Sequence, residues 1–280
     1  LQVSNLTTKF PVCTCGAHTV WSRPRFLMVN DCKRRQQFYT LSKKLVRNGA
    51  SVGLVISDGS LLCILAVLAG FKKIYVLEPE SAARRVIEQI VSANRLKEKI
   101  ILLPMTADQL TKTDISENLD VVFGEPFFVS SLAPWHDLYF WYGARKVMSM
   151  FDNPNIEVYP GSSCVKAIAV ELKDLWKIKA PLENVEGFNV QVFDKLIESC
   201  RVEDEESEAE PHSMWEYPCR ALSDVFHVLN FNFISAVPDQ KQESVGNVEF
   251  TRQGCCNAVI FWMDYVLDEN IAMSTGLSRK

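Results

Sequence analysis

Residues 52–81 read VGLVISDGSLLCILAVLAGFKKIYVLEPES, and the order of chemistries in this stretch decides the fold. Val52–Ile56 is a short apolar run of strand length, and Ser57-Asp58-Gly59-Ser60 is a turn. An apolar helix over about 60–70 follows, closed by Gly70 at its C-cap. Ile74–Leu77 is a second strand, and Glu78 is the acid at its end. Strand, turn, helix, strand and acid is how a nucleotide-binding unit begins. A glycine-rich turn lets the backbone approach a ligand, and the acid accepts hydrogen bonds from ribose hydroxyls, a solvated surface residue being the alternative reading of Glu78. Here the turn offers one glycine, Gly59, among two serines and an aspartate.

The same alternation continues outward. Residues 80–96 have the period of an amphipathic helix, and 99–103 and 119–123 are further apolar strands. Upstream, Met28, Phe38, Leu41 and Leu45 fall on one helical face and predict one or two helices over 27–48. Strands alternating with helices imply a parallel sheet with right-handed crossovers. After about residue 155 the pattern changes to short β-like runs at 165–172, 188–193, 226–234, 247–251 and 257–267. The expected fold is therefore an α/β Rossmann-like half followed by an antiparallel β-barrel half. The acidic run Glu203–Glu210 reads as a solvated loop between strands.

The bulk numbers narrow the function classes. The chain has 280 residues, 48% of them apolar, enough for one large or two smaller cores. A net charge of −4 without a broad basic excess points away from a nucleic-acid partner. The sequence holds no apolar run long enough to cross a bilayer. Nine cysteines, an odd number that includes the adjacent Cys255-Cys256, fit reduced thiols in the cytoplasm or nucleus better than a disulfide framework. The first residue is Leu1, so the chain is expected to be an internal piece of a longer protein. Neither a Gly-x-Ser-x-Gly nucleophile turn nor a Walker phosphate loop is present, so hydrolase and kinase readings have no support.

Cys13-Thr14-Cys15-Gly16-Ala17-His18 places two thiols and an imidazole within six residues. Such a set suits tetrahedral zinc, with a fourth ligand either at Cys32 or outside the chain; free cysteines in a loop is the alternative. His136 stands among Trp135, Tyr139, Trp141 and Tyr142 and reads as a packed side chain. His212, beside the acidic run, reads as a surface residue, and His227, in an expected strand, is assigned no chemistry.

The helix Ser60-Leu61-Leu62-Cys63-Ile64-Leu65-Ala66-Val67-Leu68-Ala69-Gly70 resembles the G-I-L-C-M-F-A-A-x-A-G helix of the protein arginine methyltransferases, which use S-adenosylmethionine. In that register the three glycines of the family's turn fall on Ile56, Asp58 and Ser60, with Gly59 out of phase. The resemblance implies that Asp58, Gly59 and Glu78 stand at cofactor-binding positions. It also implies weak or absent binding, because side chains fill the turn and Asp58 adds an anion near the cofactor's carboxylate. The family carries two glutamates that grip the substrate guanidinium with fork-like, charge-assisted hydrogen bonds. In Gly124-Glu125-Pro126-Phe127-Phe128, Glu125 is the first, the candidate catalytic residue. The second falls on Pro134 or Trp135, and Asp137 comes two or three positions late. Glu125 is thus expected to be a residual buried acid paired with a local donor. Met28-x-x-Asp31-x-x-Arg34-x-x-x-Phe38-Tyr39 resembles the helix that covers the cofactor in active members and reads as structural here.

Longer stretches, Leu132-Ala133-Pro134-Trp135-His136-Asp137-Leu138-Tyr139-Phe140-Trp141-Tyr142 and Trp215-Glu216-Tyr217-Pro218-Cys219-Arg220, resemble the second, degenerate module of a two-module family member. Trp21-x-Arg23-Pro24-Arg25-Phe26, after the Cys/His segment, resembles its inter-module region. The resemblance implies a linker with a zinc knuckle over 1–26, a degenerate S-adenosylmethionine-binding fold over 27–154, and a barrel over 155–280 cut short at its C-terminus. A dimerising arm is expected near Asn184–Cys200. It further implies a cytoplasmic and nuclear enzyme that monomethylates arginine in histones and other Arg-rich proteins, with this piece non-catalytic and paired with the active N-terminal module as a pseudo-dimer. The alternatives are a catalytically competent module and an Arg-rich-peptide binder using the aromatic segment 134–142 through cation–π contacts.

Overall fold

A computed structural model describes residues 21, 23–56, 59–125, 138–151, 153, 155–178, 181–203, 212 and 214–276. The chain divides into two compact units, Leu1–Glu125 with Val147–Glu157, and Pro126–Lys146 with Val158–Lys280.

The first unit begins with α1 (Arg23–Asn30) and α2 (Cys32–Arg47). Of the one or two helices expected over 27–48 there are two, divided at Asp31, whose carboxylate accepts the Arg34 N–H at 3.0 Å and caps α2. Such a cap is worth about 1 kcal/mol. Phe38, Leu41 and Leu45 lie at 0%, 0% and 2% exposure. Their i, i+3, i+7 spacing puts them on one face, which packs on α3 (Leu62–Ala69). Truncating Leu41 to alanine would leave a cavity costing about 2–5 kcal/mol.

Beneath these helices lies a five-stranded sheet made of β1 (Val52–Ile56), β2 (Lys73–Leu77), β3 (Ile100–Leu103), β4 (Val121–Gly124) and β5 (Glu157–Tyr159), in the order β3-β2-β1-β4-β5. The helix α4 (Ser81–Ala93) connects β2 to β3. The pairings β1–β2, β1–β4 and β2–β3 are parallel, with Ile56 opposite both Leu77 and Gly124. Every residue of β1 is buried, as a central parallel strand covered on both faces requires. Asp120 clamps the start of β1 by accepting the Ser51 and Val52 N–H groups at 2.7 and 2.9 Å. Strand order reverses between β1 and β4, so the turn after β1 and the residue after β4 both stand at the topological switch point.

In the second unit, α5 (Tyr139–Phe151) begins with aromatic residues that sequence patterning treats only as a cluster. Phe140 meets Phe233 edge-on at 5.4 Å, and the Trp141 indole donates to the Ser235 carbonyl at 2.8 Å. The eleven-residue β6 (Ser162–Leu172) is the spine of an open antiparallel sheet, the half-barrel. It pairs on its two sides with β9 (Cys219–Ala221) and β10 (Phe226–Asn232), and with β11 (Ala258–Asp268); β12 (Ile271–Ser274) extends β11. Ile168, Val170, Leu172, Leu175, Ile260 and Trp262 form its apolar core. Two expected strands are corrected. Over 247–251 only Phe250 bridges, to Ser223, and 188–193 supplies two strand residues before a helix begins.

That region is the expected arm. It consists of a hairpin of β7 (Asn184–Val185) and β8 (Phe188–Asn189), followed by α6 (Gln191–Glu203). Buried Asp194 in the first turn of α6 ties the two parts, accepting the Leu182 and Glu183 N–H groups at 2.8 Å each.

Candidate functional site

The site is built from the turn after β1, the acid after β2 and the acid after β4. Glu78 is 1% exposed, and its carboxylate faces the turn rather than open space. Oε2 accepts the Gly59 N–H at 2.7 Å and Oε1 accepts the Glu80 N–H at 3.1 Å. Gly59 has φ +70°, a conformation open to glycine at little cost. A Cβ added there would also run into the Arg25 guanidinium, which comes from α1. Arg25 is 5% exposed and lies 5.8 Å over the ring of buried Trp21. Ser60, at one of the family's glycine positions, turns its hydroxyl onto the Leu62 N–H at 3.0 Å, serving the start of α3.

Glu125 follows β4 and is 5% exposed. Its carboxylate forms an ion pair with Arg34 of α2, whose side chain is 10% exposed. Arg34 Nη1 also donates to the Met28 carbonyl at 2.5 Å, so the same guanidinium ties α1, α2 and the end of β4 together. Cys63, at the start of α3, is fully buried. Burial pushes its thiol up to about 12, and the nearby Glu125 and Glu78 charges add to the rise. A thiol held that far from ionisation is a packing residue, not a nucleophile.

The structure thus brings Gly59 and Glu78 together and gives Glu125 a local cation. Asp58, Pro134, Trp135, His136 and Asp137 lie outside the described residues, as do Cys13, Cys15 and His18. Among the described residues no group of three or more His, Cys, Asp or Glu is arranged to hold a metal ion. Cys32 is exposed, with its sulfur 3.1 Å from Arg35 Nη2. His227 stands in β10 opposite Lys166, and His212 lies edge-on to Tyr217 at 5.5 Å. Sequence reasoning gave no role to Arg25, although its place in the Trp21-x-Arg23-Pro24-Arg25 run marked it.

No family model matches the chain. Sequence comparison finds protein arginine N-methyltransferase 7 of Danio rerio, 42% identical over 270 residues, which are 96% of this chain and 39% of that protein. The Xenopus laevis protein of the same name is 43% identical over 268 residues, 95% of this chain and 39% of the relative. Over nearly its whole length the chain is therefore similar to one stretch of proteins named protein arginine N-methyltransferase 7. It spans about two-fifths of the length of the curated relatives it matches. Solved methyltransferases share the fold. The Trypanosoma brucei PRMT1 enzyme–prozyme heterotetrameric complex with AdoHcy superposes with a TM-score of 0.67 at 14% identity, covering 91% of this chain and 77% of that one. Arabidopsis thaliana protein arginine methyltransferase 10 gives 0.63 at 14% identity, covering 94% and 81%.

Measured against the family's cofactor, the described residues do not fit S-adenosylmethionine. The acid that would serve ribose hydroxyls is turned onto the backbone N–H groups of Gly59 and Glu80, and Arg25 is packed on the one glycine of the turn. No catalytic step is therefore derived through this site.

Proposed function

We propose that this chain is a non-catalytic methyltransferase-like module, the second of a two-module protein arginine N-methyltransferase. Its role is to support an active module of the same protein as a pseudo-dimer. The observation that carries this reading is the closure of Glu78 onto Gly59 and Glu80, because it removes the ribose contact while leaving the fold intact. The Arg34–Glu125 pair supports it further, since one internally neutralised carboxylate is a poor seat for a substrate guanidinium. The exposed apolar residues of the arm, Val192, Phe193 and Leu196, support a partner surface there. On this reading the whole enzyme uses S-adenosylmethionine to monomethylate arginine in histones and other Arg-rich proteins of the cytoplasm and nucleus. Zinc at Cys13, Cys15 and His18 belongs to the same reading and is checked by elemental analysis of the whole protein.

Calorimetric titration of this chain with S-adenosylmethionine tests the proposal. The expected result is no binding heat, together with a gain in methyl transfer when the chain is added to the active module. Micromolar binding to this chain alone overturns the non-catalytic reading in favour of a competent module.

A further inference from the structure

The loop from Phe250 to Asn257 carries chemistry that the methyltransferase reading does not use. Cys255 and Cys256 are adjacent, free and solvent-exposed. The backbone displaying them is anchored on both sides. On one side, the Thr251 and Arg252 N–H groups donate to the Leu222 carbonyl at 2.7 and 3.2 Å. On the other side, the Asn257 amide accepts the Leu172 N–H at 2.7 Å and donates to the Leu172 carbonyl at 3.1 Å. The Asn257 N–H also donates to the Val170 carbonyl at 3.3 Å. Both thiols are therefore presented from a fixed stretch of chain. Cys256 also lines a shallow hollow with Phe250, Thr251, Arg252, Gln253 and Gly254.

Neighbouring residues make poor disulfide partners. Their Cα atoms are about 3.8 Å apart across a trans peptide, whereas disulfides span about 4.4–6.8 Å. A soft atom taking one bond from each sulfur removes that restriction. Thiol sulfur is a soft ligand that selects soft centres. We propose that Cys255 and Cys256 form a two-thiol site for a trivalent, arsenical-class soft electrophile. With an arsenoxide R–As=O, two As–S bonds form and the As=O bond breaks. The two thiol protons leave with the oxygen as water, and neither sulfur nor arsenic changes oxidation state. The other described cysteines lack this arrangement. Cys63 is buried with its thiol pushed up to about 12, and burial also raises the thiols of Cys164 and Cys219. Cys32 is exposed with no cysteine beside it in sequence.

The test is intact-mass analysis of the whole chain treated with phenylarsine oxide, followed by peptide mapping. One adduct is expected on the peptide containing Cys255 and Cys256. It should survive 2-mercaptoethanol and be released by 2,3-dimercaptopropanol, as a two-sulfur chelate requires. Cys255→Ser or Cys256→Ser should abolish it, while Cys13→Ser with Cys15→Ser should leave it in place. Mapping of the unsubstituted chain keeps the test independent of how the variants fold. Failure of the adduct to form on that peptide, its release by the monothiol, or its persistence there in the Cys255→Ser/Cys256→Ser variant overturns the proposal. The outcome does not depend on whether the chain binds S-adenosylmethionine.

Discussion

The carboxylate of Glu78 accepts the Gly59 N–H at 2.7 Å, so the acid at the end of the second strand holds the turn after the first. A residue type associated with ligand recognition has become an internal brace. Removing it leaves the Gly59 N–H without its charged acceptor in a buried setting, which costs about 1–3 kcal/mol. Glu78→Ala should lower the unfolding free energy by that amount in urea denaturation. An unchanged midpoint and slope would show that Glu78 does not brace the turn.

The Arg34–Glu125 pair is buried on both sides. Breaking such a pair by removing one partner strands the other charge and costs about 3–5 kcal/mol, whereas replacing both with apolar residues of similar size is often neutral. Glu125→Leu and Arg34→Met should each destabilise the protein strongly. The double variant should recover most of the loss, as a double-mutant cycle on chemical denaturation would measure. Additive losses would mean that the two side chains act separately.

Acid sensitivity should trace to Glu117. Lys73, Tyr75 and Ser116 all donate to it, and they lower its carboxyl from 4.5 to about 2, with Lys73 the largest cause. The folded value lies below the unfolded one. The stabilisation is therefore fully present above the ordinary carboxylate range and is lost as pH falls through it towards about 2. The stability gap between the natural chain and Glu117→Gln should be constant near neutrality and shrink below about pH 4.5. A gap that holds steady down to pH 2.5 would remove Glu117 as the source. The side chain is 34% exposed, so the gap is also expected to narrow in high salt.

The arm depends on Asp194. Its two oxygens accept the Leu182 and Glu183 N–H groups and so tie the approach to the hairpin to the first turn of α6. Asp194→Ala should loosen 182–190 at a cost of about 1–3 kcal/mol to local opening. Hydrogen exchange across that segment should rise while exchange in β1 and β2 stays the same. Protection that is unchanged over 182–190 would show that the hairpin is held by something else.

Much of the first unit was readable without coordinates because periodicity reports burial directly. Val52–Ile56 is wholly apolar, and that is what a strand covered on both faces demands. Leu41 and Leu45 marked the buried face of α2 by their spacing. The second unit was harder to read. Val248 and Phe250, in the strand expected over 247–251, alternate as a strand would, yet both are exposed and only Phe250 bridges. Pattern alone does not say whether a strand finds a partner. The aromatic start of α5 hides a helix because Tyr139, Trp141 and Tyr142 stand out as a packed aromatic cluster and mask the helical period.

By itself the amino-acid order determined the alternation of strands and helices that makes a parallel sheet, the loss of in-phase glycines at Ile56, Asp58 and Ser60, and the acid at Glu125. These follow from local preference and from counting along the chain. Only the tertiary structure decided what the surviving polar groups do. Glu78 and Gly59 are separated by 19 residues, and the brace between them exists because β1 and β2 lie side by side in register. Arg34 reaches Glu125 because α2 is capped at Asp31 and packed on α3, and the charge partner of a buried acid is set by which element is folded over it.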